Sequence, residues 1–196
     1  MARAAADAPL NFVDLGANVG MFSMRAIDLV RGSDTPERPV SVALVEGAPR
    51  NYEILSRRLA ENDLAEPMVN AVNGLVGRRE GSATIFQHKF HAINSVNNPV
   101  LKKVGSGVEV PFVDIEALTA HMPRIDLLKC DIEGSEEVFV TTYAGFFKRV
   151  QAAVFELHPT ICDVPACRKV LAEAGLTEVT VLRLAGDQSV ELFERP

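Results

Sequence analysis

Cysteine is scarce in this sequence: Cys130, Cys162 and Cys167 are the 3 present, with no C-x-x-C pair and no histidine at zinc-finger spacing. That usage excludes a disulfide framework and a structural zinc module, and it fits reduced thiols in a cytoplasmic protein. Long apolar runs are also lacking. No stretch of about eighteen apolar residues could span a bilayer, and the opening MARAAADAPL has one arginine and no apolar core of signal-peptide length, so neither a membrane nor an export route is expected. An excess of positive charge is missing as well. With 20 basic and 26 acidic residues the formal net charge is −6, so the chain has no global attraction to a phosphate backbone and nucleic acid is not an expected partner. There is no internal repeat and no low-complexity tract.

The remaining composition, 196 residues with 47% hydrophobic and 23% charged, predicts one domain over residues 1–196, with 1–9 a flexible N-terminus. Short β-rich runs alternate with amphipathic stretches, which predicts an α/β fold: a Rossmann-like, doubly wound, mostly parallel sheet with a C-terminal antiparallel hairpin. Strands are expected over Asn11–Leu15, Val40–Val45, Met68–Leu75, Gly81–Gln87, Val108–Val113, Ile125–Lys129 and Val150–Leu157. The closing hairpin is expected over Glu178–Leu184 and Ser189–Phe193, turning at Ala185 to Gln188. Phe22, Ala26, Leu29 and Val30 line one face of a first helix that stops near Arg31, before a polar loop over Ser33–Pro39. Pro49 opens a second helix with Tyr52, Leu55 and Leu59 inward and Arg57, Arg58 and Glu61 outward. Asp114 can cap a short helix to His121, and another helix runs from about Ala166 to Ala174. His88 to Gly107, rich in asparagine and glycine, reads as a loop over the site.

The densest chemical signal is Val13-Asp14-Leu15-Gly16-Ala17-Asn18-Val19-Gly20, at the strand–helix junction where open α/β sheets bind ligands. No Gly-Lys-Ser/Thr follows, so a nucleoside triphosphate is set aside. Asn18 stands where the dinucleotide fingerprint needs its second glycine. Asp14, two residues before the turn, would repel a pyrophosphate and attract a cationic ligand; S-adenosylmethionine, with its ammonium and sulfonium, fits that chemistry. Glu46 ends the second strand and can accept two hydrogen bonds from a ribose diol, and Gly47 leaves backbone room beside it. The alternative is purely architectural: Gly16 and Gly20 make a tight turn and Glu46 caps the next helix.

The motifs VDLGANVGMFS, VEGAPRNYEIL, VDIEAL, IDLLKCDIEGSEE and AVFELHP resemble those of the FkbM-type methyltransferases, a branch of the class I S-adenosylmethionine-dependent enzymes. The likeness runs from about Phe12 to Pro159, and Asp-Ile-Glu-Gly-Ser-Glu is its most specific part. It implies the class I methyltransferase fold, with Asp14, Gly16, Ala17, Asn18 and Gly20 holding the methionine part of the cofactor and Glu46 and Gly47 its ribose side. Two departures stand out: eleven residues precede Phe12 where relatives have more, leaving part of a substrate cover unaccounted for, and the usual Glu-Pro reads Glu46-Gly47 with proline delayed to Pro49.

Strand parity puts Leu127, Lys129 and Asp131 on one face, with Asp131 emerging beside the glycine loop if its strand neighbours the first. Asp131 is a candidate to orient a hydroxyl or bind the ammonium, or else an N-cap, with Gly134 and Glu136 completing a cap-like start; Glu133 has the same two readings. Lys129 is expected to partner a carboxylate. Glu156 and His158 share a face at the next strand end, and an imidazole titrating near neutrality suits proton removal; a hydrogen-bonded rim histidine is the alternative. Asp131, Glu156 and His158 could instead ligate Mg²⁺, but they form no spacing motif and a metal is not expected. His88 and His91 in the polar loop point to substrate contact or solvation. The expected function is O-methylation of a small hydroxylated acceptor such as a metabolite or sugar. N-methylation, or cofactor binding without catalysis, would leave the same cofactor half.

Overall fold

The computed structural model describes residues 9–31, 39–64, 68–87, 106–186 and 188–196. Seven strands form the main sheet: β1 (Leu10–Leu15), β2 (Val40–Glu46), β3 (Val69–Asn73), β6 (Ile125–Cys130), β7 (Val150–Leu157), β8 (Glu178–Ala185) and β9 (Gln188–Glu194). Their order is β3-β2-β1-β6-β7-β9-β8. The pairs from β3 to β7 are parallel, and β9 runs antiparallel between β7 and β8. The chain therefore starts in the middle of the sheet, builds outward to β3, then crosses over and builds the other half from β6. The reversal between β1 and β6 opens a crevice at their carboxyl ends, as doubly wound sheets require.

The central strands are buried on both faces because their apolar runs are nearly continuous. Phe12 and Leu44 join Ile27, Leu55 and Leu59 under α1 (Met21–Arg31) and α2 (Pro49–Glu61). Val13, Leu15, Ala43 and Val45 face the other side, with Phe139, Tyr143, Phe146, Phe147, Phe155 and Phe193. That side carries a short helix α4 (Glu136–Thr142), a 3₁₀ turn (Phe146–Arg149) and α5 (Val164–Glu173). A separate two-stranded antiparallel sheet, β4 (Ser82–Gln87) with β5 (Ser106–Pro111), joins the main body through the Leu75–Phe112 bridge and precedes α3 (Ile115–Leu118). Among the described residues, no helix is long and apolar enough to cross a membrane.

Several local expectations need correction. Phe22 and Leu29 are exposed, and Ser23 and Ile27 are the residues α1 buries. Apolar spacing gave the period of that helix but not its phase, which is fixed by the turn before it and by the hydrogen bond from Ser23 Oγ to Asp14. Arg58 turns back rather than outward, donating to the Val19 carbonyl at 2.9 Å. The helix after β7 starts at Val164, because Asp163 accepts from the Ala166 N–H at 2.9 Å and Pro165 fits the first turn. Asp114 does cap, accepting from Glu116 N–H at 3.0 Å, but α3 ends at Leu118. The expectations for residues 1–8, the 33–38 loop, the 88–105 loop and Asp187 lie outside the described residues.

Candidate active site

Register brings the site together. Leu15 is level with Val45 on one side and Cys130 on the other, and Glu46 is level with Asn73, so the chain leaves β1, β2, β3 and β6 along one edge. The glycine turn is pinned there by Gly16 and Ala17 N–H groups, both donating to the Val45 carbonyl at 2.9 and 3.0 Å. Gly16, Asn18 and Gly20 have φ of +77°, +52° and +84°. Asparagine tolerates this left-handed region better than most side-chain-bearing residues, which explains how Asn18 replaces a fingerprint glycine. Gly16 has no such latitude: a Cβ there would lie 1.7 Å from the Asp131 carbonyl oxygen.

Glu46 joins the turn to α2. Its Oε2 accepts from Asn18 N–H at 2.7 Å and its Oε1 from Ala48 N–H at 2.8 Å. Burial pushes its carboxyl up, against the pull of those two amides. Glu46 does not cap α2, whose N-cap residue Ala48 has no side-chain cap bond, but ties the glycine turn to the start of that helix, and it lines a cavity of about 210 Å³ whose wall includes Gly16, Asn18, Gly47 and Asp131. Leu75, Ile85 and Phe112 give that cavity an apolar side. These last residues escaped the sequence reading. The Asn73-Gly74 step at a strand's carboxyl end was the available signal, because ligands in such sheets sit outside those ends.

Of the seven residues expected to hold the cofactor, Gly16, Asn18, Glu46 and Gly47 are on the cavity wall, and Asp14, Ala17 and Gly20 are not. Asp14 shares the face of Phe12, so it points beneath α1 rather than out of the strand end, and it is fully buried. It accepts from Ser23 Oγ and faces Lys129 Nζ at 3.1 Å. Lys129 in turn donates to the Gly16 carbonyl at 2.6 Å and lies 3.8 Å from Asp131 Oδ2. Burial disfavours the ammonium, but Asp14 and Asp131 outweigh it and raise the lysine's pKa, so Lys129 is a fixed cation bracing the turn.

Asp131 lines the cavity and is no helix cap, because α4 begins only at Glu136 with Ser135 in the cap position. Burial raises its pKa against the effect of Lys129, and its buried Oδ1 has no hydrogen-bond partner among the described residues. Glu133, also on the wall, holds a left-handed φ of +54°. Burial first, then the charge of Asp131, pushes its carboxyl up to about 7.

His158 lines neither concavity with Asp131, whereas Glu156 shares a smaller groove with it. His158 is buried, with Nδ1 3.2 Å from Glu136 Oε1 and Nε2 3.8 Å from Glu133 Oε2. Burial alone would lower its pKa; the hydrogen bond and charge of Glu136, then Glu133, push it up to about 9. These carboxylates favour the imidazolium at neutral pH, which does not suit the base expected of it. Glu156 lies in that groove, 3.6 Å from Arg183. The residue missed here is Glu136, fully buried, whose Oε1 also accepts from Gly134 N–H at 3.1 Å and Ile132 N–H at 3.3 Å. It shapes the loop bearing Asp131 and Glu133. His88 and His91 fall outside the described residues, among which no group of three or more acidic, cysteine or histidine side chains is arranged to hold a metal.

Because the folded-state pKa of His158 lies above its usual 6.5, its stabilising effect is complete below about pH 6.5 and is lost as pH rises through about 9. Urea denaturation across that window should show stability falling by on the order of 3 kcal/mol. His158→Gln should flatten the decline, and an unchanged slope would contradict a buried imidazolium.

A seven-stranded sheet of this order, with a glycine turn after its first strand and an acid closing its second, defines the class I Rossmann-like methyltransferase fold. The FkbM methyltransferase domain model matches residues 14–176, and the chain belongs to that family. The solved structures agree on the fold. Methyltransferase FkbM from Methylobacillus flagellatus KT superposes with a TM-score of 0.67 at 13% identity, covering 94% of this chain and 43% of that one. The METTL16 methyltransferase domain gives 0.54 at 10%, covering 95% and 60%. Precorrin-6y C5,15-methyltransferase from Geobacter metallireducens GS-15 gives 0.52 at 12%, covering 97% and 82%. The chain thus spans under half of the FkbM structure and three fifths of the METTL16 domain. No curated protein matches it in sequence.

Proposed function

We propose that this domain binds S-adenosylmethionine in the cavity at the sheet's carboxyl edge and methylates a hydroxyl of a small acceptor, a metabolite or sugar. The observation that carries the reading is the pairing, in one cavity, of Glu46 with an Asp131 whose Oδ1 has no partner among the described residues. Each Glu46 oxygen accepts one backbone N–H and retains a second acceptor direction, which suits a vicinal diol. Asp131 offers a buried anionic acceptor for an ammonium, and Leu75, Ile85 and Phe112 suit the faces of a purine. The residues present therefore fit the cofactor, which when bound supplies an electrophilic methyl group on a sulfonium.

The protein's share is alignment, exclusion of water and management of one proton. With Asp131 given to the ammonium and His158 already protonated, proton acceptance falls to Glu133, whose pKa of about 7 is well matched to it. The three cysteines are buried and unpaired, in keeping with a cytoplasmic setting.

S-adenosylhomocysteine at about 100 times its Kd should add roughly 2.7 kcal/mol to stability. Glu46→Ala should weaken that binding about ten- to a hundredfold by calorimetry, the loss of a charge-assisted hydrogen bond. No detectable binding by the parent chain would sink the cofactor assignment. Labelled-methyl transfer to hydroxylated and to amine acceptors decides between oxygen and nitrogen.

A further inference from the structure

Among the described residues, β8 ends the main sheet and pairs on one side only, with β9. Its outer edge lacks the usual protection. Edge strands are ordinarily short or carry lysine or proline, whereas β8 runs for 8 residues, EVTVLRLA, with neither. Val179, Val181, Leu182 and Leu184, exposed at 49%, 50%, 53% and 72%, are four of the nine large apolar side chains left exposed among the described residues. So dense an apolar edge marks a contact surface. We propose that it pairs with the β8 edge of a second copy of this chain, antiparallel about a two-fold axis, so that the two main sheets become one continuous sheet.

The order of residues along the strand selects a second copy as the occupant. In the ladder with β9, Val181 faces Glu191 and Arg183 faces Val190, so Leu182 is an extra residue at a bulge. A regular strand would put Glu178 and Arg183 on opposite faces; the bulge returns Arg183 to the face of Glu178 and Thr180 and leaves Val179, Val181 and Leu184 on the other. One two-fold register then matches each position: Thr180 opposite the second copy's Thr180, Val179 opposite its Val181, and Glu178 opposite its Arg183. Hydroxyl meets hydroxyl, apolar meets apolar and carboxylate meets guanidinium, which are the cross-strand pairs that stabilise sheets. Arg183 can reach across, since its side chain is 62% exposed and approaches Glu156 only to 3.6 Å. The valine face also needs cover: α5 reaches as far as β9, where Arg168 holds the buried Glu191, while Val179 and Val181 beyond it stay half exposed. Because β8 runs in the direction of β7, the carboxyl edges of the two paired sheets point opposite ways, and each copy keeps its own cavity.

Sedimentation equilibrium of the parent chain should show a species at twice the mass of one chain. Val181→Lys, which sets a charge in the apolar row, should raise the dimer's Kd about tenfold or more, and Glu178→Arg and Arg183→Glu should each do the same by placing like charges opposite one another. Mixed in equal amounts, those last two variants should regain the dimer, because each then meets its opposite charge at both ends of the register. All three side chains are exposed, so circular dichroism should show the variants folded like the parent. A parent that stays monomeric at every concentration up to its solubility limit would overturn the proposal and leave the edge to a different chain. A dimer indifferent to the three substitutions, or a mixture no more associated than its components, would overturn it as well.

Discussion

Replacing Gly16 with valine is expected to cost about 4 kcal/mol or more of folding stability, beyond the usual range for one substitution. Two independent penalties coincide. The backbone sits at φ +77°, which a β-branched residue strongly resists, and the first side-chain carbon would fall 1.7 Å from the Asp131 carbonyl oxygen, a backbone atom that cannot swing aside. Relief requires β1 and β6 to separate where Asp131 N–H donates to the Leu15 carbonyl at 3.0 Å. Gly20→Ala is milder: its Cβ would meet Leu55 Cδ1 at 2.6 Å, the movable tip of a side chain. Urea unfolding followed by circular dichroism checks the order, and a Gly16→Val midpoint near that of the parent would refute the close approach.

Glu136→Ala should be the next most damaging change, at about 3–5 kcal/mol, because it strands a buried imidazolium and leaves backbone donors without their acceptor. Glu136 is fully buried and serves His158 together with the Ile132 and Gly134 amides. In the variant, burial would act on His158 with much less opposition, so its pKa should drop well below the parent's value of about 9. Imidazole proton shifts followed by NMR titration read this directly. A stable Glu136→Ala protein with His158 still titrating near 9 would show that another group holds the charge.

The sheet was legible because its strands are written as nearly continuous apolar runs punctuated by glycine, proline and capping residues. Val150–Leu157 matches its expected bounds, and the β1–β6 adjacency that brings Asp131 to the glycine loop followed from topology alone. What could not be read were directions set by tertiary partners. Asp14 looked like a residue at an open strand end, but parity plus a lysine 115 positions away turns it under α1. His158 looked like a base, but whether an imidazole is neutral depends on carboxylates such as Glu136, whose proximity comes from the packing of α4 against the end of β7. The apolar side of the cavity comes from Leu75, Ile85 and Phe112, contributed by three separate segments, and no local spacing announces such a wall.

The hydrogen bond from Lys129 to the Gly16 carbonyl links residues 113 positions apart, and so sets when the cavity can exist during folding. The first half of the sheet can bring Glu46 to Asn18 across only 28 positions, yet its crevice has no second bank until β6 arrives beside β1. Closing so long a loop is entropically slow. The cavity is consequently completed late in folding. A chain that ended before Asp131 would carry the whole glycine turn and lack the bank of the cavity that β6 supplies.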